Sequence, residues 1–259
     1  MKRKYFLKTG GVCVTLSYQP LGDTGIRIQF GNTIDPEINR QIHSYCQRLE
    51  KESIPGVIEW VPSYCAITIY YKPYIIQYHD LLQRLKKIAQ QLQDHTAAPA
   101  EVIILPVLYG GEWGPDLQSV AQKNGLSTEE VIQLHSETKY LIYMMGFLPG
   151  FPYLGGMTDK IATPRLEVPR QRVPSGSVGI AGSQTGVYPL ESPGGWRIIG
   201  RTPVRLYDPH REDPILLKTG NYIQFRPIDE KEYKEIEEKE AQGIYVVDKK
   251  LLKGDRSIA

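Results

Sequence analysis

Between Gly146 and Pro203 the chain carries 11 glycines and 8 prolines, 19 of 58 residues. Proline removes a backbone donor and clashes with the preceding helical turn, and glycine raises the entropy cost of ordered backbone. A long helix is incompatible with that density. Short apolar runs lie between the breakers: VGIAG, GVYPL, WRIIG, PVRLY and, further on, YIQFR. This predicts an all-β region of short strands and tight corners, a barrel or a sandwich. At its head stands MGFLPGFPYLGG, Met145 to Gly156, with no charged residue. A membrane-spanning helix needs roughly 20 apolar residues, so this stretch reads as a stiffened apolar loop. Its plainest role is that of a buried plug between domains.

The first hundred residues follow another pattern. VTLSYQ and IRIQF read as strands joined through Pro20, Gly22 and Asp23. Asp35 caps and Pro36 opens a helix whose apolar positions are Ile38, Ile42, Tyr45 and Leu49. GVIEWV and CAITIYY alternate as strands, and a second helix puts Leu81, Leu82, Leu85, Ile88, Ala89 and Leu92 on one stripe. EVIILPVLY is a further strand. The order ββαββαβ predicts an antiparallel sheet with two helices on one face. HTAAPAE at 95–101 marks a domain junction. Two short helices follow, the second opened by a Ser127/Glu130 capping box. The fold class expected is therefore α+β: a loose extension (1–13), an α+β domain (14–98), a β-barrel domain (99–228) and a charged extension (229–259). In that last segment, 229–243 reads as a solvated helix, and IYVV as part of a loose tail or an added strand.

Bulk properties exclude several classes. The net charge of +2 and pI near 8.3 indicate neither a nucleic-acid nor a membrane-surface protein. Cys13, Cys46 and Cys65 form no C-x-x-C and no zinc spacing, so idle thiols in a reducing, cytoplasmic setting are expected and a metal site is not. The N-terminal MKRKYFLKTGGVCVTL is interrupted by Lys8 and Gly10-Gly11 and lacks a cleavage pattern, unlike a signal peptide. No phosphate-loop motif occurs, and no glycine is followed by lysine. GSVGIAG misses the dinucleotide fingerprint, and neither Ser177 nor Ser183 sits in a G-x-S-x-G elbow.

The positive signal is a concentration of arginine. Arg165, Arg170, Arg172, Arg197, Arg201 and Arg205 fall within 41 residues, against Glu167 and Glu191, a local excess of +4. Guanidinium groups grip carboxylate or phosphate in bidentate fashion. They are otherwise solvated strand residues. Arg170 and Arg201 lie in Pro/Gly-framed corners where loop side chains converge on a site. His135 ends the capped helix, as a base or as a helix-end residue. Tyr188 and Trp196 are a ligand wall or plain core.

LHSETKYLIYMMGFLPGFPYLGG, PRLEVPRQRVPSGSVGIAGSQTGVYPLESPGGWRIIGRTP, PLGDTGIRIQFG and VPSY together resemble the family of 5-oxoprolinase B subunits, also called allophanate hydrolase subunit 1. The resemblance covers roughly 16–228. That family includes a sporulation kinase inhibitor, and related domains occur in the carboxyltransferase part of urea carboxylase. The resemblance implies a cyclophilin-like barrel after the α+β domain. It also implies partnership with the C and A subunits of that enzyme. ATP with Mg²⁺, at a site shared with the C subunit, would serve to open 5-oxoproline to L-glutamate. On this reading His135, Arg170, Gln184 and Arg201 are the catalytic set. Ser177, Gly179, Gly182, Tyr188, Gly194, Gly195 and Trp196 bind substrate or nucleotide. Phe147, Pro149, Phe151 and Tyr153 meet the partner. Arg201→Ala is expected to remove activity without changing the melting curve, and Phe151→Ala to weaken assembly or turnover more than stability. Binding a sporulation histidine kinase is the alternative function, and proline isomerisation a third. One departure is Gly220-Asn221 where the family has Gly-Asp.

Overall fold

The computed structural model describes residues 5–9, 12–92 and 100–252. The chain divides into two compact units, Met1–Ala98 and Pro99–Ala259. The expected junction at 95–101 falls almost wholly outside the described residues, as do positions 1–4 and the end of the tail.

The first unit contains β1 (Tyr5–Thr9), β2 (Val12–Leu21), β3 (Gly25–Gln29), α1 (Pro36–Glu52), β4 (Val57–Pro62), β5 (Ala66–Tyr71) and α2 (Tyr78–Gln90). Its five strands pair antiparallel in the order β1-β2-β3-β5-β4. The segment read as a loose extension therefore supplies an edge strand, since Tyr5–Thr9 pair with Val12–Leu16. The Asp35 carboxylate accepts from the backbone N–H groups of Glu37 and Ile38, which starts α1 where the sequence placed it. Ile38, Ile42, Tyr45 and Leu49 of α1 and Leu81, Leu85, Ile88 and Ala89 of α2 join Ile26, Ile28, Ile67 and Ile69 of the sheet in one core. The Tyr45 hydroxyl donates to the Leu85 carbonyl (2.7 Å) and Arg48 donates to Gln91 (2.9 Å).

The second unit begins with β6 (Glu101–Tyr109), which belongs here and not to the first sheet. It continues with α3 (Leu117–Asn124), α4 (Thr128–Glu137), β7 (Lys139–Met145) and β8 (Pro152–Gly155). After a 3₁₀ turn come β9 (Arg170–Val173), β10 (Ser177–Ala181), β11 (Gln184–Val187), β12 (Ser192–Gly194), β13 (Arg197–Arg201), β14 (Tyr222–Pro227), α5 (Glu230–Ala241) and β15 (Lys249–Leu251). Seven strands form a sheet in the order β11-β10-β13-β6-β14-β7-β8, and its end strands β11 and β8 lie against each other, closing it nearly into a barrel. The run PVRLY makes no strand; Tyr207 contributes one isolated bridge to Ile215. The Ser127 capping box is present on both sides.

The charged C-terminal segment is not simply solvated. Tyr233, Ile236 and Glu240 of α5 are buried, and the Glu240 carboxylate is held by Arg211 at 2.8 Å. IYVV makes no strand; Lys249–Leu251, just beyond it, add antiparallel to β6 as β15. Asn221 acts through its turn: its side-chain oxygen accepts from the Glu101 backbone N–H (3.1 Å) and its carbonyl from that of Ile142 (2.9 Å). The neutral side chain performs the first task, and the second falls to the backbone whatever the side chain. Among the described residues no helix is long and apolar enough to cross a membrane.

Candidate functional site

The expected site residues fall into four separate places. His135 lies inside the barrel, fully buried. Its Nε2 is 2.7 Å from the Thr185 hydroxyl and its Nδ1 2.8 Å from the Tyr109 hydroxyl. The Thr185 hydroxyl donates to the Gly179 carbonyl (3.1 Å), which leaves it to accept from imidazole N–H. The ring is therefore the neutral Nε2–H tautomer, with Nδ1 accepting from Tyr109. It stacks on Phe225 at a 4.5 Å centroid distance. Burial pushes its pKa down to about 3. Both nitrogens are occupied and no solvent reaches them, so the structure makes His135 a core histidine and not an accessible base.

Arg201 occupies a second place. Its guanidinium lies over Trp113 at 4.9 Å, and Trp113 in turn packs against Tyr233 of α5 at 4.5 Å. Burial raises the Tyr233 phenol to about 12, against a hydrogen bond and charge from Arg201. Ser177 pairs opposite Arg201 in the ladder and is wholly buried. This packing makes Arg201→Ala a change in stability as well as in charge. We expect a loss of about 1–2 kcal/mol in urea unfolding, from the stacked cation and its lost stem contacts.

Gln184 and Gly182 form the opposite end of the β10–β11 hairpin. From Ser177 to Ala181, the register partner of Gln184, the strand rises about 13 Å. Gln184 is half-buried. Both backbone groups of Gly182 pair with Thr163 (2.8 and 3.0 Å), so they are already engaged and do not offer a phosphate cradle. Gly179 is a packing position: an added Cβ would lie 3.1 Å from the Trp196 Cβ.

The fourth place does bring candidates together. Arg170 on β9 pairs opposite Gly194 on β12. One arm of its guanidinium is bound to Asp116 (2.8 Å), while another faces the Trp196 carbonyl at 3.4 Å. The second Asp116 oxygen accepts from the Ile198 backbone N–H at 2.7 Å. Asp116 thus clamps β9, β13 and the start of α3, a role that the sequence reading missed. WGPDL signals a helix start, and nothing local reveals that the carboxylate reaches 54 and 82 residues along the chain. Asp116→Asn should cost about 1.5–3 kcal/mol, the range for a charged hydrogen bond, measurable by urea denaturation.

Beside Arg170 stands Tyr188. Its hydroxyl would lie 2.3 Å from a Cβ on Gly194, so only glycine fits there. Burial raises the Tyr188 pKa, offset by the Trp196 backbone and by the charges of Arg165 and Arg170. Arg165 is exposed. Arg165 and Arg170 both act electrostatically on the Tyr188 hydroxyl, and Gly194 packs against the same ring, so these residues share one corner of the barrel. Of the two guanidiniums, that of Arg170 is already paired with Asp116. The described residues include no group of three His, Cys, Asp or Glu side chains placed to hold a metal.

The floor of this corner is aromatic. Phe151, Tyr188 and Trp196 meet edge to face at centroid distances of 5.7, 5.7 and 6.3 Å. Phe151 is 3% exposed and Phe147 69% exposed, so the apolar loop buries one ring and leaves the other in solvent. Tyr153 packs on Phe151 (5.3 Å) and Pro149 is exposed. Hydrogen bonds Gly146–Phe151, Leu148–Gly146 and Phe151–Leu148 brace the loop.

An antiparallel α+β unit followed by a nearly closed barrel defines a carboxyltransferase-type protein, and residues 16–217 match the family model for the carboxyltransferase domain, subdomains C and D. The chain belongs to this family. It is 42% identical over 236 residues to the 5-oxoprolinase B subunit of Bacillus subtilis (strain 168), covering 85% of this chain and 97% of that protein. It is 40% identical over 207 residues to the 5-oxoprolinase B subunit of Escherichia coli O157:H7, covering 80% and 94%. Among solved structures, TTHA0988 superposes with a TM-score of 0.71 at 39% identity over 79% of this chain. The match spans only 40% of that longer polypeptide. The Kluyveromyces lactis urea amidolyase shares the fold, with a TM-score of 0.75 at 20% identity over 92% of this chain and 16% of that one.

Proposed function

We propose that the chain is the B subunit of a 5-oxoprolinase and works with the C and A subunits to open 5-oxoproline to L-glutamate, driven by ATP hydrolysis. The observation that carries this reading is the identity of 42% spread over 97% of the Bacillus subtilis protein. The corner at Arg165, Arg170 and Tyr188 supports it chemically. 5-Oxoproline offers one carboxylate beside a planar lactam. A carboxylate takes the free guanidinium edges, and the Tyr188 hydroxyl and Gly194-Gly195 backbone add neutral donors around it. Seating the carboxylate orients the lactam and lowers the entropy cost of attack on it. ATP supplies activation of the lactam oxygen when bound. The donor set of this corner suits a carboxylate alone, so the nucleotide is assigned to the partner subunits. The exposed ring of Phe147 with Pro149 is assigned to the partner contact.

The test is 5-oxoproline-dependent ATP hydrolysis by this chain reconstituted with candidate A and C subunits. Omitting this chain should abolish turnover. Arg165→Ala, a surface change, should raise the KM for 5-oxoproline about tenfold, the loss of one charge-assisted contact, with a smaller change in kcat. An inactive wild-type complex counts against the 5-oxoprolinase reading. An active complex whose KM ignores Arg165 moves the carboxylate seat elsewhere.

A further inference from the structure

Residues from the C-terminal parts of α1 and α2 line a recess of about 320 Å³. It is lined by Glu52, Ile54, Arg84, Lys87, Ile88 and Gln91. That volume lies within the ordinary range of small-ligand sites. It is contained in the first unit and shares no residue with the Arg170 corner.

The charges on its rim are arranged, not merely numerous. Arg48 donates to Gln91 (2.9 Å) and pairs with Glu52 (3.1 Å), and so bridges the two helices across lining residues. Its Nε is buried and has no hydrogen-bond partner. A buried donor without a partner is uncommon in native proteins and calls for an explanation. Glu52 keeps a carboxylate at the C-terminal end of α1, near the Gln91 cap of α2; it is already paired with Arg48, and the helix ends beside it favour further positive charge. Arg84 and Lys87 face the same space from α2 and favour an anion. Lys87, in the last turn of α2, is also an ordinary partner of the helix dipole. Arg84 lies outside that turn, so the dipole does not account for it. Ile54 and Ile88 form an apolar floor, 7% and 3% exposed. Nearby, Ser53 closes α1 as a left-handed C-cap at φ +42°, its N–H donating to the Leu49 carbonyl, which is an ordinary helix ending.

A recess with an anionic and a cationic side over an apolar floor is complementary to a small zwitterion. We infer that the recess between the C-terminal ends of α1 and α2 binds a free α-amino acid. Its carboxylate meets Arg84 and Lys87, and its ammonium meets Glu52 and the helix-end carbonyls. The inference does not rest on the 5-oxoprolinase reading.

Isothermal titration of the full chain with L-glutamate tests it, with N-acetyl-L-glutamate and inorganic phosphate as comparison probes. Saturable binding of L-glutamate is expected. The acetylated form, which keeps both carboxylates and loses the ammonium, should bind at least about tenfold more weakly. Arg84→Ala and Glu52→Gln should each weaken L-glutamate binding about tenfold with unchanged melting temperature. Arg165→Ala should leave it alone, which separates this recess from the barrel corner. Absence of binding up to about 10 mM would overturn the inference. So would equal affinity for L-glutamate, N-acetyl-L-glutamate and phosphate, because that pattern marks a general anion patch.

Discussion

Replacing His135 with alanine should destabilise the protein by about 3–5 kcal/mol, the range for truncating a large, fully buried side chain. The change opens a cavity against Phe225 and Tyr140, and it strips partners from the Tyr109 and Thr185 hydroxyls in the interior. Urea unfolding of wild type and variant measures it. A loss below about 1 kcal/mol would mean that the buried chain Tyr109–His135–Thr185–Gly179 contributes little. The same histidine gives the protein a pH dependence with a definite sign. Its folded pKa of about 3 lies below the ordinary 6.5. Between those values the unfolded chain binds a proton that the folded chain refuses. This contribution to stability is complete above about pH 6.5 and declines as pH falls toward about 3, at up to 1.36 kcal/mol per unit. His135→Gln should flatten that slope. By nitrogen NMR the ring should stay neutral from about pH 5 to 8 as the Nε2–H tautomer. A midpoint near 6.5 would contradict the burial argument.

Phe151→Ala should also cost about 3–5 kcal/mol, because the rings of Phe147, Tyr153, Tyr188 and Trp196 and the side chain of Leu148 pack against that side chain. Its main effect is therefore on stability, contrary to the expectation from the sequence that assembly would suffer first. Phe147 behaves oppositely. Its ring is exposed, and its backbone has φ +68°, a left-handed conformation that a bulky residue adopts at a cost of order 1–3 kcal/mol. The buried Phe151 and the braced backbone hold it there. Phe147→Ala should change stability by less than about 0.5 kcal/mol. In the proposed complex it should weaken association with the partner about tenfold or more, as a rigid aromatic anchor does. Thermal melts and sedimentation of the reconstituted complex read the two effects apart. If Phe147→Ala assembles normally, the loop has no partner role, and its strain serves only the position of Phe151.

Much of the fold was legible because its signals are local. The Asp35 and Ser127 caps, the stripes of α1 and α2, and the Gly/Pro density of the barrel lie within a few residues of what they control. Periodicity therefore predicted the elements. It failed where pairing is remote: β6 pairs in parallel with β14, more than a hundred residues away, and PVRLY finds no strand partner. The arginine excess drew attention to the barrel. Composition could not say that Arg170 is half-consumed by Asp116, that Arg201 is stacked on Trp113, or that Arg165, exposed beside Arg170, is the one left open at that corner. Nor could it place His135, whose surroundings come from β6, β7, β11 and β14. A charge or a ring acquires its role from what the fold packs against it, and those neighbours lie far away along the chain. Local runs of residues were enough to mark the elements, the family resemblance and the apolar loop. Packing alone divided that loop into a buried Phe151 and an exposed Phe147, because burial is a property of the assembled interior and not of any short stretch of chain.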